Sequence, residues 1–105
     1  MRYVIDIDGT ICTNTNGNYE KAIPYKDRID KVNKLYDEGN TIIYFTARGM
    51  KTFNNDISKV NKKWYNFTQK QLSDWNVKFH RLILGKPQSD IYIDDKGVND
   101  NDFFK

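Results

Sequence analysis

Hydrophobic positions along the chain form runs whose period changes from segment to segment. Tyr3, Val4, Ile5 and Ile7 make an apolar stretch of β-branched and aromatic residues with no turn signal inside it, and it predicts a buried strand over about Arg2 to Ile7. Thr41 to Phe45 predicts a second strand, Phe79 to Leu84 a third, and Ile91 to Ile93 a short fourth. Between them the period changes. Ile29, Val32, Leu35 and Tyr36 recur at helical spacing, which predicts a helix from Asp27 to Glu38 stopped by Gly39-Asn40. Ile57, Val60, Trp64 and Phe67, extended by Leu72 and Trp75, predict a long helix from about Asp56 to Trp75. Gly9 to Tyr25 reads as a polar loop with Asn14, Asn16, Gly17 and Asn18 at its tip, a composition suited to a short hairpin or flap. The tail is expected to add one turn of helix that packs Phe103 or Phe104.

This alternation points to an α/β fold with at least three parallel strands. Right-handed crossovers place helices on the faces of such a sheet. The expected architecture is a three-layer, Rossmann-like, mostly parallel sheet with helices on both faces. It forms one domain over residues 1–105, with no repeats and no low-complexity segment.

Composition narrows the class. The chain is 38% hydrophobic and 30% charged, which fits a soluble globular protein rather than a disordered one. No apolar run approaches the ~20 residues of a membrane span. The N-terminus leads straight into a predicted strand, so no secretory signal is expected. The single cysteine, Cys12, excludes an internal disulfide and fits a reducing cytoplasm. Net charge is +3; the mild excess is spread along the chain, and Lys59 to Lys63 reads as a solvated helix face rather than a nucleic-acid track.

The chemistry gathers where the strands end. Asp6 and Asp8, spaced i and i+2, leave the first strand on the same face, and Gly9 then allows a sharp turn. Paired carboxylates there repel unless a cation, a proton or a basic partner lies between them. Thr46, Ala47 and Arg48 follow the second strand, Lys86 the third, and Asp94-Asp95 the fourth. In a parallel sheet these ends share one edge, where ligands bind. A hard divalent cation with oxygen ligands would relieve the carboxylates, and Mg²⁺ suits a site beside phosphates. Lys86 offers a point charge for a phosphate oxygen, and the Thr46 hydroxyl and the following amides offer donors. Together these are the parts needed for phosphoryl transfer.

In these residues the chain resembles the haloacid dehalogenase superfamily of phosphatases. The first motif, Asp-x-Asp-Gly-Thr after a hydrophobic strand, is matched by Asp6-Ile7-Asp8-Gly9-Thr10, the second by Thr46, the third by Lys86, and the acidic fourth by Asp94-Asp95. Phe45 to Gly49, Leu84 to Pro87 and Tyr92 to Gly97 also look like a group of short bacterial hydrolases of capsule or surface-polysaccharide biosynthesis. The resemblance implies a Mg²⁺-dependent phosphomonoesterase acting through an aspartyl-phosphate on a small phosphorylated metabolite such as a sugar phosphate. It makes Asp6 the nucleophile and Asp8 the acid and base. Thr46, Ala47 and Lys86 bind phosphate, and Asp6, Asp8 through its backbone carbonyl, Asp94 and Asp95 hold the metal. Arg48 is left between substrate contact and a structural salt bridge.

Lys86 precedes Asp94 by only eight residues, which leaves no room for the helix that often follows this lysine in the superfamily; Lys51 and Lys96 are the alternatives. The gaps Thr10 to Tyr25 and Arg48 to Gly85 are too short for a cap domain, so a capless, open site is expected, either as a monomer or covered by a second subunit in a homo-oligomer. A polynucleotide 3′-phosphatase is an alternative, weakened by the lack of a basic stripe, and a catalytically idle binding domain is another. His80 and Cys12 are expected to be structural, Trp64 and Trp75 core, and Tyr19 and Tyr25 part of a mobile loop tip, with contact to the leaving group as the alternative.

Overall fold

The computed structural model describes every residue from Met1 to Lys105. Strands β1 (Arg2–Ile5), β2 (Thr41–Thr46) and β3 (Arg81–Leu84) form a parallel sheet in that order. Helix α1 (Lys26–Asp37) links the first pair and α2 (Ile57–Asp74) the second, and a short α3 (Asp100–Phe103) closes the chain. The register pairs Ile5 with Tyr44 and Tyr44 with Leu82. Side chains alternate across a strand, so Tyr3, Ile5, Ile42, Tyr44, Leu82 and Leu84 share one face. That face forms a single core with Ile29 and Val32 of α1 and Val60 and Leu72 of α2.

Both long helices lie on this face for a topological reason. The chain steps along the sheet in one direction, and two right-handed crossovers in the same direction put their helices on the same side. A helix on the second face would need the strand order to reverse. The second face carries Val4, Ile43, Phe45 and Ile83, outside the cluster that includes the two helices; Ile43 on the central strand is buried, whereas Val4 on the β1 edge is 60% exposed.

Each long helix ends as its sequence dictates. At the end of α1, Gly39 sits at φ +94°, the Gly39 amide donates to the Tyr36 carbonyl, and Asn40 reaches back to Leu35. This is a Schellman stop, which favours glycine at the left-handed position. Asp56 caps α2 by accepting from the Lys59 amide, satisfying one orphan donor of its first turn.

Two expectations about strands change. β1 ends at Ile5, two residues early, because the chain turns at once: the Thr10 and Ile11 amides both donate to the Ile7 carbonyl. Ile7 is still fully buried in the core. The fourth strand is absent. Ile91 to Ile93 pair with nothing, and Ile93 is 92% exposed. Three apolar residues become a strand only beside a partner, and the chain from Pro87 to Asn99 does not lie along β1.

The loop after β1 does fold back as a flap. Thr13 donates to Ile23 and Tyr25 to Ile11, and Tyr19–Lys21 form a turn of 3-10 helix. α3 docks where Arg28 bridges the Asp100 carboxylate at 2.7 Å and the Thr10 carbonyl at 3.1 Å, with Phe103 against Tyr3. No helix is long and apolar enough to cross a membrane.

Candidate active site at the carboxyl edge of the sheet

Parallel strands bring three of the predicted positions together. Asp6 follows β1, Thr46 ends β2, and Lys86 lies just past β3, where its amide donates to the Thr46 carbonyl at 3.1 Å. This last bond carries the β2–β3 pairing one step further and aims Lys86 back across the edge. Its Nζ stands 3.9 Å from Asp6 Oδ1 and 4.4 Å from the centre of the Tyr92 ring. Thr10 Oγ1 donates to the other Asp6 oxygen at 3.5 Å. Burial pushes the Asp6 carboxyl above its ordinary value; Lys86 opposes that shift and the Asp8 charge adds to it. Asp6 is thus a partly desolvated carboxylate, its side chain 35% exposed, facing one ammonium group.

The Thr46 hydroxyl is buried and accepts from the Arg48 amide at 3.2 Å. Its own proton remains available for a ligand oxygen. Ala47 follows, packed against the core.

Asp8 is held differently. Arg48 Nε donates to Asp8 Oδ2 at 2.9 Å and its NH2 to Oδ1 at 3.0 Å, a two-pronged fork on the carboxylate. Arg48 is enclosed and its three guanidinium nitrogens all donate to protein oxygens, so it faces Asp8 and not a ligand. Of the two readings left open by sequence, the structure has the salt bridge. The third guanidinium nitrogen donates to Thr68 Oγ1 of α2 at 3.3 Å, and the Tyr19 ring lies 4.7 Å from the guanidinium carbon.

Tyr19 is no mobile tip. Its hydroxyl accepts from the Gly49 amide at 2.8 Å, its carbonyl accepts from Gln71, and its ring meets Trp64 edge to face. Thr68 and Tyr92 are site neighbours that sequence reasoning missed, and Tyr19, expected at a loop tip, is a third. Tyr19 carried one signal, an aromatic residue directly after an Asn-Gly-Asn turn, where solvent alone would favour another polar residue.

Asp94 and Asp95 do not reach this edge. Both are exposed; Asp94 caps the amides of Lys96 and Gly97, and Asp95 pairs with Lys96. The expected convergence of four carboxylates fails here because it depended on the fourth strand. No three metal-ligating side chains cluster anywhere. Of the lysines, Lys86 faces Asp6, whereas Lys51 and Lys96 are exposed.

Cys12 is buried beside Asp8, its sulfur 3.6 Å from Oδ1. Burial, with the Asp8 charge second, pushes its thiol up to about 12, which leaves it protonated and inert at neutral pH. His80 stacks on Tyr36 and its Nδ1 accepts from the Ile42 amide, a structural role.

No family model matches this sequence, and no curated protein matches it. Among solved structures, the fold is similar to the crystal structure of a target protein from Vibrio cholerae. The TM-score is 0.91 with 26% identical residues, over 98% of this chain and 86% of that one.

Proposed function

We propose that this chain is a capless phosphomonoesterase of the haloacid dehalogenase superfamily, acting through an aspartyl-phosphate on a small phosphorylated metabolite such as a sugar phosphate. The observation that carries the reading is the partly buried Asp6 carboxylate facing Lys86 at 3.9 Å, with Asp8 two residues on and Thr46 on the next strand.

Each residue has a part in that chemistry. An Asp6 oxygen attacks phosphorus, while the Thr46 hydroxyl, the adjoining amides and Lys86 hold the phosphoryl oxygens. Asp8 gives its proton to the departing oxygen. Water then opens the acyl-phosphate, and Asp8 takes the proton of that water. Lys86 also opposes the effect of burial on the Asp6 carboxyl, favouring its ionised form.

Arg48 engages both Asp8 carboxylate oxygens, so a hard cation would be held by the Asp6 carboxylate and the Asp8 backbone carbonyl, oxygen donors whose chemistry fits Mg²⁺. Bound there, Mg²⁺ would offset negative charge on the phosphoryl oxygens. Asp94 and Asp95 would add donors only if Ile91–Ile93 came alongside the open edge of β1. Exposed Val4, Ile91 and Ile93 favour that docking, since pairing would bury them. A three-layer sandwich would likewise require a helix over the face that carries Val4 and Ile43.

The test is phosphate release from a panel of sugar phosphates, nucleotides and 3′-phosphorylated oligonucleotides, with and without Mg²⁺. Mg²⁺-dependent release from small phosphates, lost in Asp6→Asn, is expected. Activity unchanged in Asp6→Asn would end the proposal, and release confined to oligonucleotides would reassign the substrate.

A further inference from the structure

Arg48 is among the largest side chains fully enclosed by the protein. An enclosed cation paired with one carboxylate is a poor source of stability, since apolar residues of similar volume often do as well or better. The pair therefore calls for another account, and its geometry supplies one. Four separate parts of the chain build it: Asp8 after β1, Arg48 after β2, Thr68 within α2, and Tyr19 from the flap. The Arg48 side chain has no exposure, whereas the Asp8 side chain keeps 17%. The fork thus approaches the carboxylate from the protein interior and leaves part of it open to the site.

We propose that Arg48 is a positioning residue that sets the orientation of Asp8 for proton transfer. This rests on the phosphatase reading above. In the first step a bond forms between an Asp6 oxygen and phosphorus as the bond from phosphorus to the leaving oxygen breaks, and the Asp8 proton passes to that oxygen. In the second, a water oxygen bonds to phosphorus, the bond from phosphorus to Asp6 breaks, and the water proton returns to Asp8. A guanidinium does not give up its proton in proteins, so Arg48 takes no part in either transfer. It fixes the plane of the carboxylate, which the point charge of a lysine cannot do.

The experiment compares two leaving groups in the presence of Mg²⁺. Dinitrophenyl phosphate departs as a stable phenolate without a proton. The alkyl phosphate that wild type turns over fastest from a sugar-phosphate panel needs one. In Arg48→Lys, kcat/KM on the alkyl phosphate is expected to fall ~10²-fold, the scale of lost acid catalysis. On dinitrophenyl phosphate kcat/KM should change less than about threefold, because it reports only the first step. Its kcat should fall and a burst of dinitrophenolate should appear, because Asp8 is also the base of the second step.

Thr68→Val removes one guanidinium contact at nearly constant volume and should show the same pattern, weakened. Adding Arg48→Lys to Asp8→Asn should cost little more than Asp8→Asn alone. An equal loss of kcat/KM on both substrates without a burst, or full additivity with Asp8→Asn, would overturn the positioning role and leave the phosphatase intact. A wild-type protein inert on both substrates would overturn both.

Discussion

Gly49 lies between Arg48 and the core, and replacing it by alanine tests how tightly the site loop is built. Its backbone sits at φ +76°. A Cβ there would meet Trp64 Cδ1 at 2.7 Å and Nε1 at 3.2 Å. The indole has little freedom to retreat, since Tyr19 meets it at 4.7 Å and Phe67 at 5.4 Å, both edge to face. Gly39 is the matched control: its φ is +94° and nothing lies within 4 Å of the added carbon. Gly39→Ala should therefore cost only the left-handed penalty of ~1–2 kcal/mol. Gly49→Ala should cost that plus ~1–3 kcal/mol for overpacking. At about 4–5 °C per kcal/mol for a chain of this size, the expected losses of Tm are ~4–10 °C for Gly39→Ala and ~8–25 °C for Gly49→Ala. Thermal unfolding followed by circular dichroism at matched pH reads both. Equal losses in the two variants would refute the packing of Gly49 against Trp64, and with it the rigid support given to Tyr19 and Arg48.

Other outcomes follow from single residues. The folded Asp6 carboxyl holds its proton above the ordinary value of 3.8, so ionising it costs stability; the cost is absent below pH 3.8, grows as pH rises through the window up to the raised folded value, and persists above it. Without metal, Asp6→Asn should therefore melt higher than wild type at pH 7 and lose that advantage as pH falls toward 3.8. The Tyr44 hydroxyl is buried with no partner, so Tyr44→Phe should raise stability by ~1 kcal/mol in urea unfolding; a loss would mean that an ordered water satisfies it. Lys86→Met should weaken competitive inhibition by inorganic phosphate ~10-fold or more, the scale of a charged hydrogen bond, whereas Lys51→Met and Lys96→Met should leave it unchanged.

Much of the fold was legible because its signals are local. β2 and β3 are apolar runs between turn residues, and α1 and α2 carry apolar stripes ended by Gly39 and Asn76, both at positive φ. The grouping of Asp6, Thr46 and Lys86 followed from parallel strands alone. What failed were features decided by a partner distant in sequence. Ile91-Tyr92-Ile93 has strand composition, but pairing is a property of two segments, and the edge of β1 stays open. The two-helix face was not legible because it depends on strand order, which hydrophobic period does not encode. Arg48 could not be assigned because its partner is forty residues earlier, and a guanidinium next to a turn reads the same whether it faces solvent or a buried acid. Tyr19 was misread because Asn-rich tips are usually solvated, whereas here Gly49, Gln71 and Trp64 hold it.

The proposed chemistry turns on covalent phosphorylation of Asp6. Wild-type protein turning over dinitrophenyl phosphate with Mg²⁺ can be quenched, reduced with borohydride and mapped by mass spectrometry, which converts an aspartyl-phosphate to homoserine. Homoserine is expected at position 6 in wild type and none in Asp6→Asn. Steady phosphate release with an unmodified position 6, or with the label at another residue, would contradict it.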